Sequence, residues 1–534
     1  MSDFIHIKSG HCASILWADD EIDLLRPHII FLEAKGYRVT PVASGTDAMK
    51  HIASNTTGYD IVFLDENMPG LSGLDTLDRI KDIAPLTPVV LITKNDDEHI
   101  MDLAVGSRIA DYLIKPVNPS QILLSLKKVL HCRRLICEND SRRCRERYLD
   151  MNTAIDCAAT IGDWHEIYRR LTHDSISLSR TQSDTAAIND SLIETAEDAF
   201  FRYVRNNYMS WIRLRETADH PVMSPDILDR NVLPLIRSGK RPVMMLIDNL
   251  TLGQWIIARP VFAEAFRITS EEIYTAILPT STQYCRNAIL SGMMPDDIHR
   301  RFPQLWIDEH SPDGKNRNEE TLLHNWAEKH GFQKNRISYR ITTDTASLQS
   351  LSQSFRDSGA ADDLLTVIIV NFSDMLSHAV ARTPMLRELA TSDSALRTIL
   401  LSWLRHSPLQ KLLRHIAEAG RPLIVTTDHG SIRVSDPVRT CAGEDATDAL
   451  RYKFGKNISA ASRSVFMIRR PEEAGLPATS ISTSCIIAGR REFLLYPNNF
   501  SHYARTFNGS YQHGGISMQE MLLPLTTLTP KIND

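Results

Sequence analysis

The run Tyr59-Asp60-Ile61-Val62-Phe63-Leu64-Asp65-Glu66-Asn67-Met68-Pro69-Gly70 carries an apolar stretch straight into a carboxylate. A parallel sheet presents a side chain to incoming chemistry in this way, at the carboxyl end of a strand. Asp19 and Asp20 close a second such stretch, Ser14-Ile15-Leu16-Trp17-Ala18. Together Asp19, Asp20 and Asp65 form an anionic cup whose mutual repulsion favours a bound cation. Magnesium suits it, because that ion needs few protein ligands and neutralises the charge of a phosphoryl donor. The backbone carbonyl of Asn67, two residues past Asp65, is a further candidate ligand. Thr93 ends its own apolar stretch with a hydroxyl that can follow a phosphoryl oxygen. Lys115, before Pro116, can pair with the same group, and Tyr112 can rotate in response. The chemistry is acceptance of a phosphoryl group by Asp65. The plainer reading makes Asp19 and Asp20 helix caps and Asp65 a surface turn residue, and it has no use for Thr93 or Lys115.

A second set shares the same grammar further along. Met244-Met245-Leu246-Ile247 ends at Asp248, and Val367-Ile368-Ile369-Val370 leads through Asn371-Phe372-Ser373 to Asp374, with His378 one helical turn later. Leu423-Ile424-Val425-Thr426-Thr427 ends at Asp428-His429-Gly430, and Tyr511-Gln512-His513-Gly514-Gly515 adds another imidazole. Mixed carboxylate and imidazole ligation suits zinc, and six such residues suffice for two ions with open positions for substrate. Two metals about 3.5–4 Å apart can stabilise both the attacking and the leaving oxygen of a phosphoryl displacement. A nucleophile is available where a strand over 273–278 turns into a helix over 283–290, in Leu278-Pro279-Thr280-Ser281-Thr282-Gln283. A hydroxyl there sits in the positive field of a helix N-terminus. Thr280, Ser281 and Thr282 compete for the role, and Thr282 alone could simply cap its helix. Arg451, Lys453 and Lys456 are candidates for binding substrate phosphate or for surface charge, and His502 is a weaker alternative to His513 as a ligand.

These residues need elements to hold them. Apolar runs over 14–18, 38–43, 60–64, 88–93 and 111–114 alternate with amphipathic stretches, which predicts a doubly wound parallel sheet. From 131 to 215 strand patterns cease, and Trp164, Ile167, Tyr168 and Leu171 recur at helical spacing, as do Phe200, Phe201, Val204, Tyr208 and Trp211. This predicts a helical connector, whose arginines Arg133, Arg134, Arg142, Arg143, Arg145 and Arg147 are interleaved with acids in the manner of a solvated helix face. Strands return over 242–247, 273–278, 366–370 and 423–427 in a second, larger α/β domain. The predicted division is 1–130, 131–215 and 216–534, consistent with a chain of 534 residues. A charged fraction of 23% and a net charge of -5 exclude a strong bias toward nucleic acid or membrane. Eight cysteines without a CxxC pair argue against a zinc ribbon or thioredoxin-like site and fit reduced thiols in a cytoplasm. No leader-like start and no long apolar run stand out, so neither export nor membrane insertion is expected.

The first set closely resembles the receiver domain of response regulators. That resemblance implies a cis Lys115-Pro116 peptide, a sensor histidine kinase as partner, and rearrangement of the last strands' face on phosphorylation, often into a homodimer. The second set occurs in the order used by alkaline-phosphatase-superfamily phosphodiesterases. By that resemblance Asp374, His378 and His513 hold one zinc, Asp248, Asp428 and His429 hold the other, and Thr282 touches both as nucleophile. A receiver joined through helices to the PglZ branch of this superfamily resembles the PorX-type response regulators tied to type IX secretion. The stretches from Leu278 to Tyr284, Arg451 to Asn457 and Tyr511 to Ser517 are especially similar. The resemblance implies hydrolysis of cyclic or linear oligonucleotides, a link to an extracytoplasmic-function sigma factor, and control of the hydrolase by phosphorylation of Asp65. The competing expectation is a signalling scaffold that binds a sigma factor or secretion component with hydrolysis incidental. A DNA-binding regulator would need a basic helix-turn-helix after the receiver, which the connector does not offer.

Overall fold

A computed structural model describes residues 13–54, 58–84, 87–94, 109–178, 184–215, 217, 220–309, 311, 314–358, 363–383, 388, 390, 392–443, 446–478, 480 and 482–531, with the side chains of 131–145, 184–188, 358 and 381–382 left aside. The arginines Arg133 to Arg145 fall outside the described side chains. The chain forms two compact units, Met1–Glu146 and Arg147–Asp534.

In the first unit β1 (Ser14–Ala18), β2 (Arg38–Val42), β3 (Ile61–Asp65), β4 (Val89–Thr93) and β5 (Asp111–Ile114) form an all-parallel sheet in the order β2-β1-β3-β4-β5. The strands alternate between two cores. Ile15, Trp17, Phe63, Val90 and Ile92 pack on one face, and Leu16, Val62, Leu64 and Leu91 on the other. Because helices cover both faces, β3 and β4 are buried throughout and read as unbroken apolar runs. The strand order reverses between β1 and β3, and the crevice beyond their carboxyl ends is where such sheets bind ligands.

The second unit centres on a six-stranded sheet of β6 (Val243–Ile247), β7 (Phe266–Thr275), β8 (Ile337–Thr342), β9 (Leu365–Val370), β10 (Leu423–Thr426) and the C-terminal strand Leu522–Pro530. β10, β6, β9 and β8 run parallel, and the C-terminal strand pairs antiparallel with both β10 and β7. Two of these strands escape the sequence pattern. β8 is an edge strand with exposed positions, and Leu522–Pro530 carries two prolines among its threonines. The strand expected over 273–278 ends instead at Thr275. Beyond it the backbone N–H groups leave the ladder: Ile277 donates to Ser224 Oγ at 3.1 Å and Leu278 to the Tyr208 hydroxyl at 2.9 Å, and the Leu278-Pro279 peptide is cis.

The connector helices Ile161–Leu178 and Asp184–Arg213 share one core with the large sheet, so Trp164, Phe200, Val204 and Tyr208 cluster with Met244, Leu246 and Trp255. An apolar stripe at helical spacing demands such a partner. No described helix is long and apolar enough to cross a membrane. Among the described cysteines, Cys157, Cys285, Cys441 and Cys485 are free thiols.

Candidate active site and phosphoacceptor

At the crevice of the first sheet Asp19, Asp20 and Asp65 bring carboxylate oxygens within 4.8 Å of one another. Asp19 and Asp65 are buried, and Asp20 is exposed. The Lys115 ammonium reaches both buried acids, 2.8 Å from Asp19 Oδ2 and 3.0 Å from Asp65 Oδ1. Burial pushes the Asp65 carboxyl up, with Asp19 adding to the effect and Lys115 opposing it. Burial works against the Lys115 charge, yet Asp19 and Asp65 outweigh it and raise its pKa. Asp65 Oδ2 has no hydrogen-bond partner among the described residues, so the donor set fits a magnesium ion, with Asn67 exposed two residues on. Thr93 ends β4 fully buried, its carbonyl accepting the Lys115 N–H at 2.7 Å. Tyr112 lies on β5 with its hydroxyl unpartnered among the described residues. The Lys115-Pro116 peptide is cis, as the resemblance implied.

In the second unit the strand ends converge. Asp248 follows β6, Asp428 and His429 follow β10, and Asp374 and His378 lie one turn apart on the helix Phe372–Arg382 after β9. Two groups result: Asp374, His378 and His513 near the surface, and Asp248, Asp428 and His429 fully buried. His378 Nε2 lies 3.4 Å from Asp374 Oδ2, and His513 Nε2 lies 4.0 Å from Asp374 Oδ1. His429 Nε2 is 3.5 Å from Asp248 Oδ1 and 3.9 Å from Asp428 Oδ2. The two groups touch. The rings of His429 and His513 stack with centroids 4.1 Å apart, and Asn249 donates from its side chain to Asp374 Oδ1 at 3.3 Å and from its backbone to Asp428 Oδ1 at 3.5 Å.

Three observations test the site against a pair of metal ions. Asp248 Oδ1 and His513 Nδ1 are buried without partners. His429 turns its Nδ1 to the Gly430 carbonyl at 3.2 Å, which leaves Nε2 for a ligand role. The charges are unbalanced: burial, aided by Asp428 and Asp374 and opposed by Arg286, pushes the Asp248 carboxyl well up. Burial disfavours the Asp428 anion too, but Arg286 and His429 hold its carboxyl down at about 2. Burial and the neighbouring His429 drop His513 to about 4. The residues fit two cations.

Thr282 stands against the buried group, its hydroxyl 3.0 Å from His429 Nε2. It is the first residue of the helix Thr282–Ser291, and Ser281 occupies the N-cap position, so Thr282 is not the cap. Thr280 is fully buried and spent on the His513 loop, accepting the Gly514 N–H at 3.1 Å and donating to the Gly515 carbonyl at 2.8 Å. Of the three hydroxyls competing in sequence, only Thr282 is both partly exposed and against a ligand. Gly514 takes φ +113, and a Cβ there would meet Tyr452 at 2.5 Å, so the turn presenting His513 requires glycine.

The basic trio lies elsewhere. Arg451 is fully buried and forks onto Glu520, Nε at 3.1 Å and Nη2 at 2.6 Å, while Glu520 also accepts the Gly515 N–H at 2.8 Å. It buttresses the His513 loop rather than facing solvent. Lys453 is buried over the Tyr496 ring, 4.2 Å from its centroid, and donates to the Thr447 carbonyl at 3.2 Å. Only Lys456 is exposed. Expectation of surface charge fails for Arg451 and Lys453 because both side chains are buried, Lys453 within the strand Tyr452–Lys456 and Arg451 just before it. His502 is exposed and belongs to neither group.

Sequence reasoning missed Asn249, Arg286 and Glu319. Arg286 lies four residues past Thr282, hence on the same helix face; its Nη2 donates to Asp248 Oδ2 and its Nε to Asp428 Oδ2 at 3.0 Å. A lone charged residue in the helix Thr282–Ser291 was the available sign. From the connector, Glu197 accepts the Met518 N–H at 3.1 Å, just past the His513 loop.

Residues 227–528 match the family described as the BREX system PglZ alkaline phosphatase-like domain. Residues 15–127 match the response regulator receiver domain, and 134–212 the PorX response regulator linker domain. Among curated relatives, the uncharacterized transcriptional regulatory protein YkoG of Bacillus subtilis is 34% identical over 126 residues, 23% of this chain and 52% of that protein. The transcriptional regulatory protein ZraR of Klebsiella oxytoca is 28% identical over 209 residues, 35% of this chain and 47% of that one. The chain spans about half the length of the curated relatives it matches. Among solved structures, a response regulator receiver domain from Clostridium thermocellum is 31% identical with a TM-score of 0.22, covering 23% of this chain and 98% of that one. A CheY-like receiver domain from Methanospirillum hungatei is 22% identical with the same TM-score and coverage. With more than half its length in the PglZ match and a receiver and a PorX linker ahead of it, the chain belongs to the PglZ alkaline-phosphatase-like family and is a PorX-type response regulator.

Proposed function

We propose that phosphorylation of Asp65 controls a zinc-dependent phosphodiesterase acting on cyclic or linear oligonucleotides. The observation that carries this reading is the Thr282 hydroxyl, 3.0 Å from His429 Nε2 where two three-residue ligand groups meet. Asp374, His378 and His513 would hold one zinc and Asp248, Asp428 and His429 the other. When bound, the pair supplies Lewis-acid stabilisation of the attacking and leaving oxygens. The chain's own part begins with Thr282, whose position at a helix N-terminus favours its alkoxide and the substrate phosphate alike. Its oxygen attacks phosphorus, one ester arm leaves as an alcohol with the proton, and the phosphoryl group with its remaining ester arm stays on the Thr282 oxygen until water displaces it as a phosphate monoester and restores the hydroxyl. His378 and Asp374 form the side open to solvent, which gives substrate its approach.

In the receiver, magnesium would sit on Asp19, Asp20 and Asp65 with the Asn67 carbonyl, and Thr93, Tyr112 and Lys115 would register the phosphoryl group. The receiver implies a phosphodonor such as a histidine kinase. Phosphorylation-dependent dimerisation, an extracytoplasmic-function sigma factor and the link to type IX secretion rest on the PorX likeness.

Metal analysis and nucleotide-diester turnover of the full chain, with and without a phosphoryl mimic at Asp65, test the reading. Thr282→Ala should abolish turnover with zinc content unchanged. Full activity in that variant would remove Thr282 as nucleophile.

A further inference from the structure

Behind the buried ligand group lies a guanidinium that neither the ligands nor the nucleophile accounts for. Arg286 is 3% exposed, and each of its three nitrogens faces a different carboxylate. Nη2 donates to Asp248 Oδ2, Nε donates to Asp428 Oδ2 at 3.0 Å, and Nη1 lies 3.7 Å from Glu319 Oε1. Glu319 is itself buried, and its Oε2 accepts the Tyr339 hydroxyl. With every nitrogen engaged behind the site, Arg286 is not placed to grip a substrate phosphate.

The fork decides which oxygens remain. It takes Asp248 Oδ2 and leaves Oδ1 buried without a partner, 3.5 Å from His429 Nε2. On Asp428 the fork grips Oδ2 as well, through Nε at 3.0 Å, and the backbone takes the other oxygen. Oδ1 accepts the backbone N–H of His429 at 3.1 Å and of Asn249 at 3.5 Å, so Oδ2 is the oxygen nearer His429 Nε2, at 3.9 Å. One planar group with donors at fixed angles thus holds the Oδ2 atoms of two acids at once, which leaves Asp248 Oδ1 free and fixes how Asp428 meets the site.

We propose that Arg286 is a positioning residue. It fixes Asp248 so that Oδ1 is left to a cation beside His429, holds Asp428 in place by the Oδ2 that the same cation would share, and is itself held in that pose by Glu319 with Tyr339. The inference rests on reading Asp248, Asp428 and His429 as metal ligands. Outer partners that orient ligands typically govern metal affinity by about 10–100-fold. Lysine keeps the charge but, as a compact head without the rigid fork, does not hold both Oδ2 atoms in this geometry.

The test is zinc stoichiometry and affinity of the full chain by chelator competition. The variants are Arg286→Lys, Tyr339→Phe and, as the reference for the other ligand group, His378→Ala. The wild-type chain should bind two zinc ions. Arg286→Lys should weaken one of them about 10–100-fold and leave the second untouched, and combining it with His378→Ala should weaken both. Tyr339→Phe should weaken the same ion as Arg286→Lys by a smaller factor, which carries the test if the lysine variant fails to fold. A general loss of stability would lower both ions alike and would overturn the proposal. Wild-type affinity at both ions in Arg286→Lys and Tyr339→Phe would overturn this inference alone. A wild-type chain that binds no zinc would overturn the ligand assignment and this inference together.

Discussion

Replacing Thr280 by valine keeps the shape of the side chain and deletes one fully buried hydroxyl. The Gly514 N–H and the Gly515 carbonyl, at 3.1 and 2.8 Å from that hydroxyl, both lose their partner inside the loop that carries His513. An orphaned buried polar group costs about 1–3 kcal/mol, so two of them, after the loop relaxes, give a loss of about 2–4 kcal/mol. At roughly 2.1 cal/mol/K per residue, the unit Arg147–Asp534 carries an unfolding entropy of ~0.8 kcal/mol/K. The melting temperature of that unit should therefore fall by about 3–5 °C. Thr282→Val removes a half-exposed hydroxyl that meets only His429 Nε2, and its stability should change by about 0.5 kcal/mol or less. Calorimetry of both full-length variants, alongside diester turnover, separates a structural threonine from a reacting one. The reasoning fails if Thr280→Val melts with the parent, or if Thr280→Val alone abolishes turnover while Thr282→Val keeps it.

Three further outcomes are expected. Burial lowers the Lys453 ammonium to about 8, so the folded chain favours the neutral amine and stability should rise with pH between about 8 and 10.5. Lys453→Met should remove that slope, stabilise the chain at pH 7 by at most about 3 kcal/mol, and leave turnover intact; lost substrate affinity would restore Lys453 to a binding role. Glu197 is raised to about 8, mainly by burial and further by Glu520, so the folded state holds a proton that the unfolded chain releases near 4.5. Its contribution is fully present below about 4.5 and lost as pH rises through about 8, and Glu197→Gln should flatten that fall, worth at most about 5 kcal/mol, in pH-dependent denaturation. A Cβ on Gly430 would lie 2.0 Å from the Gln519 carbonyl oxygen. Gly430→Ala should therefore cost about 1–3 kcal/mol in denaturant titration and weaken zinc binding beside His429; a variant matching the parent in both would show that the loop yields freely.

Strand-end residues were the most legible part of this chain. A strand buried on both faces reads as a nearly unbroken apolar run, and the first charged residue after it lies at the sheet's carboxyl edge. Asp65, Asp248 and Asp428 follow from that rule, and the structure puts each at such an edge. β8 and Leu522–Pro530 were not legible, because an edge position and two prolines erase the pattern. Arg451 and Lys453 misled for a related reason. Basic side chains are ordinarily solvent-exposed, but the strand Tyr452–Lys456 is buried at its first four positions and Arg451 just before it is buried too.

The order of apolar runs and the residues that end them are local properties, so the sequence alone determined two sheets, the helical stretch between them and the side chains able to do chemistry. Which atoms meet is a property of distance across the chain. Arg286 reaches Asp428 across 142 positions and Thr280 reaches Gly515 across 235. Periodicity carries no information at such separations, because they are set by how the sheet's edges and the loops above them pack. Only the tertiary structure decided that Thr282 rather than Thr280 faces the ligands, and which carboxylate oxygen is left to receive a cation.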